Sequence, residues 1–218
     1  MDLLLTIFDM DGLMFDTERI SYEAWKVAAE KYKFEISSET YEGLICKTEE
    51  DLLKELRYIY GEAAPINEWR NYMKKVRGEI IDKNKTVRKK KGLDSLINFL
   101  RNKDIKIAVA SSSYRKTVEK YLKLENLTDH IDIIVSGDEV LNGKPNPEIL
   151  LKACSKANVD TSKALVLEDS LPGIKAAKNA GINVFLVPDM VRNKEIESSA
   201  DKVFNSLEEV RIYLSSVL

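Results

Sequence analysis

The sequence holds a single histidine, His130, and only two cysteines, Cys46 and Cys154. One histidine excludes a histidine-rich zinc site and confines any histidine mechanism to that residue, which we place in a surface loop before a strand. The two cysteines form no ligand or redox motif, so both are predicted to be ordinary reduced thiols. The chemistry of this protein is therefore expected to depend on carboxylates, lysine and hydroxyl groups.

Long apolar runs and an excess of one charge are also absent. No stretch approaches the roughly 18 residues of a membrane span, and the apolar run 3–8 is too short for the core of a signal peptide. The formal net charge of −2 at pH 7 gives no reason to expect nucleic acid as a partner. With 44% hydrophobic and 32% charged residues, the composition predicts a cytoplasmic globular protein, a monomer by default, with no membrane partner.

Short apolar segments recur along the chain with helical stretches between them. The predicted strands are Leu3–Phe8, Ile105–Ala110, Ile131–Val135, Ala164–Leu167 and Val184–Val187. From Leu93 onward the alternation of strand and helix is regular, which is typical of repeated strand–helix units. The pattern predicts an α/β fold with a doubly wound parallel sheet, a Rossmann-like core.

The segment that follows the first predicted strand is helical throughout and too long for a crossover within such a sheet. Its predicted helices are Thr17–Tyr32, Ser38–Ile45, Glu49–Tyr60 and Ile66–Asp82. We therefore divide the chain into a Rossmann-like core, residues 1–16 and 88–218, and an inserted α-helical domain, residues 17–87. The return to the core carries the basic run 88–91, which we interpret as a solvated linker rather than an anion-binding patch.

Acids, hydroxyls and a lysine follow four of the predicted strands. They are Asp9 and Asp11 after the first, Ser111 and Ser112 after the second, Lys144 after the third, and Glu168 and Asp169 after the fourth. Ligands of open parallel sheets bind beyond the carboxyl ends of the strands. Paired carboxylates there indicate a hard cation or a shared proton, and hydroxyls at the start of a helix suit phosphate oxygens. Acidic turns and helix caps are the structural alternatives for each group taken alone.

The four motifs, in this order, resemble those of the haloacid dehalogenase-like superfamily in its phosphatase and phosphomutase branch. The matching residues are Asp9 to Asp16, then Ser111, then Lys144 between glycine and proline, then Glu168 with Asp169. The resemblance extends over nearly the whole chain, including a helical cap after the first motif. Within the superfamily the chain is most similar to the β-phosphoglucomutase-like subgroup.

The resemblance implies a mechanism and a role for each residue. Asp9 would be the nucleophile that forms an aspartyl-phosphate, and Asp11 the general acid and then the general base. The implied phosphate-binding residues are Ser111, Ser112 and Lys144. The implied ligands of a Mg²⁺ cofactor are Asp9, Asp11 through its carbonyl, Asp169, and Glu168 directly or through water. The cap would close over a small-molecule phosphomonoester and exclude water.

Two positions in the predicted cap bear on whether the phosphoryl group goes to water or back to the sugar. β-Phosphoglucomutases carry a histidine where this chain has Ser21, and an arginine where it has Glu49. An acid in place of that arginine is expected to repel a sugar bisphosphate, which favours hydrolysis of a sugar phosphate. The alternative is a β-phosphoglucomutase-type isomerase, in which Lys47, Lys74 or Lys75 would grip the second phosphate in place of that arginine. Dehalogenation, which needs no Mg²⁺ site, ranks third, and a non-catalytic relative would have lost a motif.

Overall fold

The structure, a computed structural model, describes residues 2–45, 47 and 49–218. The chain divides into two compact units, Met1–Asp16 with Arg88–Leu218, and Thr17–Val87. We call the first the core unit and the second the helical unit. In the part of the chain that the structure describes, no helix is long and apolar enough to cross a membrane.

The helical unit contains α1 (Thr17–Tyr32), α2 (Ser38–Glu42), α3 (Glu49–Tyr60) and α4 (Ile66–Asn84). The helices α1 and α4 pack on each other, and the rings of Phe34 and Trp69 stack with their centroids 3.9 Å apart. The helix α2 is shorter than predicted, since the residues up to Ile45 form turns. The helix α4 extends slightly beyond the predicted Asp82 and ends where Lys85 adopts a left-handed backbone, with φ 53°.

The core unit is built on one six-stranded parallel sheet, which confirms the predicted doubly wound α/β fold. The strands are β1 (Leu5–Phe8), β2 (Lys106–Ser111), β3 (Ile133–Ser136), β4 (Ala164–Glu168), β5 (Asn183–Leu186) and β6 (Lys202–Val203). Their order in the sheet is β3-β2-β1-β4-β5-β6, so β1 lies between β2 and β4. All residues of β1 and β4 are buried, as expected of central strands in a covered parallel sheet.

Six helices accompany the sheet in the described part of the core unit. They are α5 (Leu93–Asn102), α6 (Arg115–Leu124), α7 (Glu148–Ala157), α8 (Leu171–Asn179), α9 (Lys194–Ser199) and α10 (Leu207–Val217). The helix α7 contacts β1, β2 and β3, and α8 contacts β4 and β5. Ser170 caps the start of α8 by accepting a hydrogen bond from the N–H of Gly173.

The sixth strand is a feature that the sequence pattern does not reveal. It consists of Lys202 and Val203 alone, paired with the end of β5, and two residues are too short for a periodic signal. The predicted strands also begin one or two residues early in three cases. β1 starts at Leu5, where pairing with β2 and β4 begins, β2 starts at Lys106, and β3 starts at Ile133.

Of the three scarce residues, the structure describes Cys154 and His130. Cys154 is buried in α7, and burial raises the pKa of its thiol to about 11, which fits the predicted inert thiol. Cys46 lies outside the described residues. His130 ends a short 3₁₀ turn before β3, in agreement with the predicted loop position.

The basic run 88–91 differs from the solvated linker that we predicted. Lys89 forms an ion pair with Asp94 at 2.7 Å, on the surface. Lys90 forms an ion pair with Asp189 at 2.5 Å, and the Asp189 side chain is only 4% exposed. At least Lys90 therefore has a structural role, because its charge compensates a carboxylate that is almost completely buried.

Candidate active site

The carboxyl ends of three adjacent strands bring the predicted acids together. Phe8 in β1 is in register with Val109 in β2 and with Leu167 in β4. The N–H of Asp9 donates to the carbonyl of Leu167 at 3.0 Å, so the ladder continues to the first acid. Glu168 is the last residue of β4, one position beyond Leu167. Because parallel strands end at the same edge of the sheet, Asp9 and Glu168 meet there.

Lys144 joins these two acids. Its Nζ lies 2.5 Å from Oδ1 of Asp9, 2.6 Å from Oε1 of Glu168 and 3.2 Å from the carbonyl oxygen of Ala110. Three acceptors match the three protons of an ammonium group. The Lys144 side chain is 7% exposed, so this is a buried ion-pair network and not a surface contact. The peptide bond from Lys144 to Pro145 is cis.

Both carboxylate oxygens of Glu168 accept hydrogen bonds. Oε1 accepts from Lys144, and Oε2 accepts from the N–H groups of Asp169 and Ser170 and from the Ser170 hydroxyl, at 2.8 to 2.9 Å. Burial opposes ionisation of Glu168, but Lys144 and these hydrogen bonds outweigh it and lower its pKa. This arrangement favours an orienting role for Glu168 and contact with a cation through water over direct ligation.

Gly173 leaves the space that the Glu168 carboxylate occupies. A Cβ atom at residue 173 would lie 1.7 Å from Oε1 and 1.9 Å from Cδ of Glu168. We expect Gly173→Ala to displace the carboxylate from Lys144 and to lower the rate of turnover roughly tenfold to a hundredfold, since small displacements of positioned groups are costly. Gly78→Ala in α4 is the matched control, because nothing lies within 4 Å of a Cβ there. Equal rates for the two variants would contradict the role given to Glu168.

The carboxyl group of Asp9 lies in an acidic environment. Burial, together with the charges of Glu168 and Asp11, raises the pKa of Asp9 above its ordinary value, and the attraction of Lys144 only partly offsets this rise. The positive charge of Lys144 therefore does not balance the negative charges of the acids around it. The site would be stabilised by a further cation.

The serines after β2 have different surroundings. Ser111 is buried, and its hydroxyl accepts a hydrogen bond from the N–H of Ser113 at 3.1 Å, whereas Ser112 is exposed. The Ser113 hydroxyl donates to Oδ2 of Asp11 at 2.9 Å. Ser113 belongs to the same serine run but was not among the predicted site residues, because spacing alone does not indicate which hydroxyl faces the second aspartate.

The acidic side of the site suits a hard divalent cation. Gly12, with φ 85°, lets Asp169 approach the loop of Asp9 and Asp11, since a Cβ at residue 12 would lie 2.1 Å from Oδ2 of Asp169. Within residues 2–45, 47 and 49–218, no three acid, histidine or cysteine side chains already form a set of metal ligands. Mg²⁺ needs only one or two carboxylates besides water and substrate oxygens, so two aspartates and a carbonyl are sufficient.

Ser21, at the position of the mutase histidine, is buried within the helical unit. The Tyr41 hydroxyl donates to Oε2 of Glu18 at 2.6 Å, and Ser21 lies near that hydroxyl. Burial and the charge of Glu18 raise the pKa of Tyr41 well above its ordinary value. Ser21 thus lies inside the helical unit, near the pair formed by Tyr41 and Glu18.

Glu49, at the position of the mutase arginine, is surrounded by positive charge. Its carboxylate lies 2.9 Å from Nη2 of Arg70 and 2.8 Å from Nζ of Lys74. Burial opposes ionisation, but the two cations outweigh it and hold the pKa of Glu49 at about 2. The repulsion that we predicted between Glu49 and a bisphosphate is therefore weaker than its charge alone implies. Each lysine considered as a grip has an acidic partner: Lys47 with Glu55, Lys74 with Glu49, and Lys75 with Glu79.

The core unit is an α/β fold with a cluster of acids and a lysine at the carboxyl edge of its sheet. The chain belongs to the haloacid dehalogenase-like hydrolase family, whose model matches residues 6–187. A phosphorylated carbohydrates phosphatase of Thermotoga maritima is 34% identical over 178 residues, 81% of each chain. The (DL)-glycerol-3-phosphatase 2 of Arabidopsis thaliana is 31% identical over 215 residues, 92% of this chain and 86% of the relative. These relatives confirm the predicted hydrolase class.

Solved structures of the family share the fold. A Thermotoga maritima protein provisionally named β-phosphoglucomutase is 28% identical, with a TM-score of 0.82 over 99% of this chain and 100% of that chain. The β-phosphoglucomutase of Clostridium difficile is 24% identical, with a TM-score of 0.78 over 98% of this chain and 96% of that chain. Phosphatases and mutases thus lie on one fold, and the reaction must be inferred from the site.

Proposed function

We propose that this protein is a Mg²⁺-dependent phosphomonoesterase that acts on a small phosphorylated carbohydrate through an aspartyl-phosphate on Asp9. The observation that carries the proposal is the position of Lys144, 2.5 Å from Asp9 and 2.6 Å from Glu168 in a buried site. A phosphate dianion that approaches Asp9 meets a fixed cation there. Such preorganised charge is the largest stabilising effect in many transition states of this kind.

The chemistry follows in two steps from the aspartates. The Asp9 carboxylate attacks phosphorus while the bond from phosphorus to the sugar oxygen breaks, and Asp11 gives that oxygen its proton. Asp11 then accepts a proton from water, which attacks the aspartyl-phosphate and releases inorganic phosphate. Mg²⁺ would be held by Asp9, the Asp11 carbonyl and Asp169, and would neutralise charge on the phosphoryl oxygens.

The remaining groups of the site support these steps. Ser113 holds the Asp11 carboxyl group by a hydrogen bond of 2.9 Å, which restricts the general acid to one orientation. Lys144, Ser111 and Ser112 are the proposed partners of the phosphoryl oxygens that do not react. Glu168 positions Lys144, so its contribution would be indirect.

The substrate class is supported by the relatives. The Thermotoga maritima phosphatase is named for phosphorylated carbohydrates and the Arabidopsis thaliana enzyme for glycerol 3-phosphate, both small polar phosphomonoesters. The burial of Ser21 also favours hydrolysis, because a buried hydroxyl is not available for handling a second phosphate. The mutase stays the alternative, favoured by the likeness to the provisionally named β-phosphoglucomutase.

Removal of divalent cations should abolish phosphate release. We expect EDTA to stop turnover of sugar phosphates and glycerol phosphate, added Mg²⁺ to restore it, and Ca²⁺ to inhibit because its larger, more flexible coordination shell spoils in-line geometry. Release of inorganic phosphate from a panel of phosphomonoesters is the measurement. Full activity after exhaustive chelation would refute the cation-dependent mechanism.

The same assay separates the two reactions. With β-glucose 1-phosphate and glucose 1,6-bisphosphate together, a phosphatase should yield inorganic phosphate and little glucose 6-phosphate. Isomerisation that runs faster than phosphate release would establish the mutase instead. Omitting the bisphosphate is the control, since a mutase depends on it to keep the enzyme phosphorylated.

A further inference from the structure

We propose that Asp189, which forms an ion pair with Lys90, supports the cation site as a second carboxylate beside Asp169 that strengthens binding of the divalent cation. This inference rests on the function proposed above and adds two residues that none of the four motifs contains. Asp189 follows β5, the one long strand whose carboxyl end we did not assign from the sequence. Its effect would be electrostatic, because it lies beside Asp169 and does not act on the substrate.

Asp189 and Asp169 both lie close to Gly12. The point where a Cβ atom of residue 12 would lie is 3.5 Å from Oδ2 of Asp189 and 2.1 Å from Oδ2 of Asp169. The two carboxylate oxygens therefore face the same glycine from the ends of neighbouring strands, β4 and β5. No side chain at residue 12 separates them. The absence of a Cβ thus gives Asp169 an acidic neighbour.

Lys90 ties Asp189 to the catalytic loop. Its Nζ lies 2.5 Å from Oδ1 of Asp189, and its own N–H donates to the carbonyl of Met14 at 2.9 Å. Met14 belongs to the loop that begins with Asp9, so one residue fixes both the acid after β5 and the loop after β1. The side chains of Lys90 and Asp189 are 19% and 4% exposed, which keeps the pair close to its observed geometry.

The pair is oriented so that its negative end faces the site. Lys90 binds the Oδ1 side of Asp189, while Oδ2 is the oxygen near Gly12 and Asp169. A neutral pair with its carboxylate toward the cation raises the local negative potential and costs less than an isolated buried charge. Outer carboxylates of this kind orient ligands and bound water, and their loss typically weakens metal binding about 10- to 100-fold.

The alternative is that the pair only holds two loops together. The two explanations predict different effects for the two partners. If Asp189 supports the cation, Asp189→Asn should weaken Mg²⁺ binding, whereas Lys90→Gln should leave it unchanged or tighten it, because the remaining carboxylate is no longer compensated. If the pair is only structural, loss of either partner should weaken Mg²⁺ binding alike, through displacement of the loop.

The test is Mg²⁺ binding to the full chain without substrate, measured by titration calorimetry and by the rise in Tm on adding Mg²⁺. We expect Asp189→Asn to raise the Kd for Mg²⁺ about tenfold and Lys90→Gln not to raise it. Asp94→Asn is the matched control, because it removes the neighbouring exposed pair with Lys89. This control should bind Mg²⁺ as the unmodified protein does.

Three results would overturn the inference. An unchanged Kd in a folded Asp189→Asn variant would show that Asp189 does not support the cation. A Kd raised about tenfold by Lys90→Gln would show that the pair is only structural, and this result decides the matter even if Asp189→Asn does not fold. Absence of Mg²⁺ binding by the unmodified protein would refute the proposed function as well, so the two failures are distinguishable.

Discussion

Asp9→Asn should lower the rate of phosphate release by at least about a thousandfold, because an amide cannot attack phosphorus and form the covalent intermediate. The substitution preserves shape, and Lys144 keeps its contacts with Glu168 and the carbonyl of Ala110. We therefore expect the variant to fold and to retain inorganic phosphate binding. Single-turnover measurements and calorimetric titration with phosphate check the two halves of this expectation.

The same substitution should raise the Tm of the metal-free protein at about pH 8. Burial and the acidic neighbours raise the pKa of Asp9 above its ordinary value, which the unfolded chain retains. Above the raised pKa the ionised carboxylate therefore costs stability in the folded state, and this cost diminishes as the pH falls because the folded protein takes up the proton first. The gain from Asp9→Asn should be smaller at about pH 5.

Asp201→Asn provides a control of opposite sign. Lys178 and the N–H of Val184 outweigh burial and lower the pKa of Asp201, so its charge stabilises the fold. Its loss should lower the Tm at about pH 8, where the carboxylate is ionised. A lower Tm for Asp9→Asn at both pH values would show that the attraction of Lys144 outweighs the excess of acid.

Phosphate release by Asp9→Asn within about tenfold of the unmodified rate would exclude Asp9 as the nucleophile.

The strand ends explain why so much of the site could be predicted. Acids that directly follow apolar runs must lie at one edge of a parallel sheet, and Asp9 and Glu168 do meet there, together with Lys144 from the loop after β3. The order of the strands, which makes β2, β1 and β4 neighbours, is a property of the whole fold. Hydrophobic pattern identifies a strand but carries no information on its neighbours.

The sequence could not predict the hydrogen-bond or ion-pair partner of each side chain. The resemblance implies Glu168 as a metal ligand, directly or through water, and the sequence does not show that both of its oxygens accept hydrogen bonds from Lys144 and the start of α8. Glu49 was predicted to present a negative charge, and Arg70 and Lys74 compensate it from another helix. Such contacts join distant parts of the chain, so no local spacing indicates them.

Asp189 illustrates a different limit. It follows an apolar strand, as the other acids do, and the rule that identified Asp9 would also have reached it. Its partner Lys90 lies in a run of basic residues that usually faces water, so the run gave no sign of a buried pair. Only the close approach of both segments to Gly12 and Met14 reveals the connection.

Lys144→Met should cost both activity and stability. It removes the cation that bridges Asp9 and Glu168 and leaves two carboxylates in a site where their side chains are 12% and 1% exposed. Breaking a buried ion pair from one side typically costs about 3–5 kcal/mol of unfolding free energy. Loss of a preorganised charge at the reacting phosphoryl group should lower the rate by about a hundred- to a thousandfold.

A second substitution separates these two effects. Adding Glu168→Gln to Lys144→Met removes one of the uncompensated charges, so urea unfolding should show that part of the lost stability returns. Activity should not return, because the cation that faces the phosphoryl group is still missing. Lys106→Met is the matched control: its Nζ donates only to the carbonyl of Ala157, at 2.7 Å, and its loss should cost about 1 kcal/mol and leave the rate unchanged. If the double variant regained activity together with stability, Lys144 would serve only to neutralise Glu168, and the role proposed for it in phosphoryl transfer would be wrong.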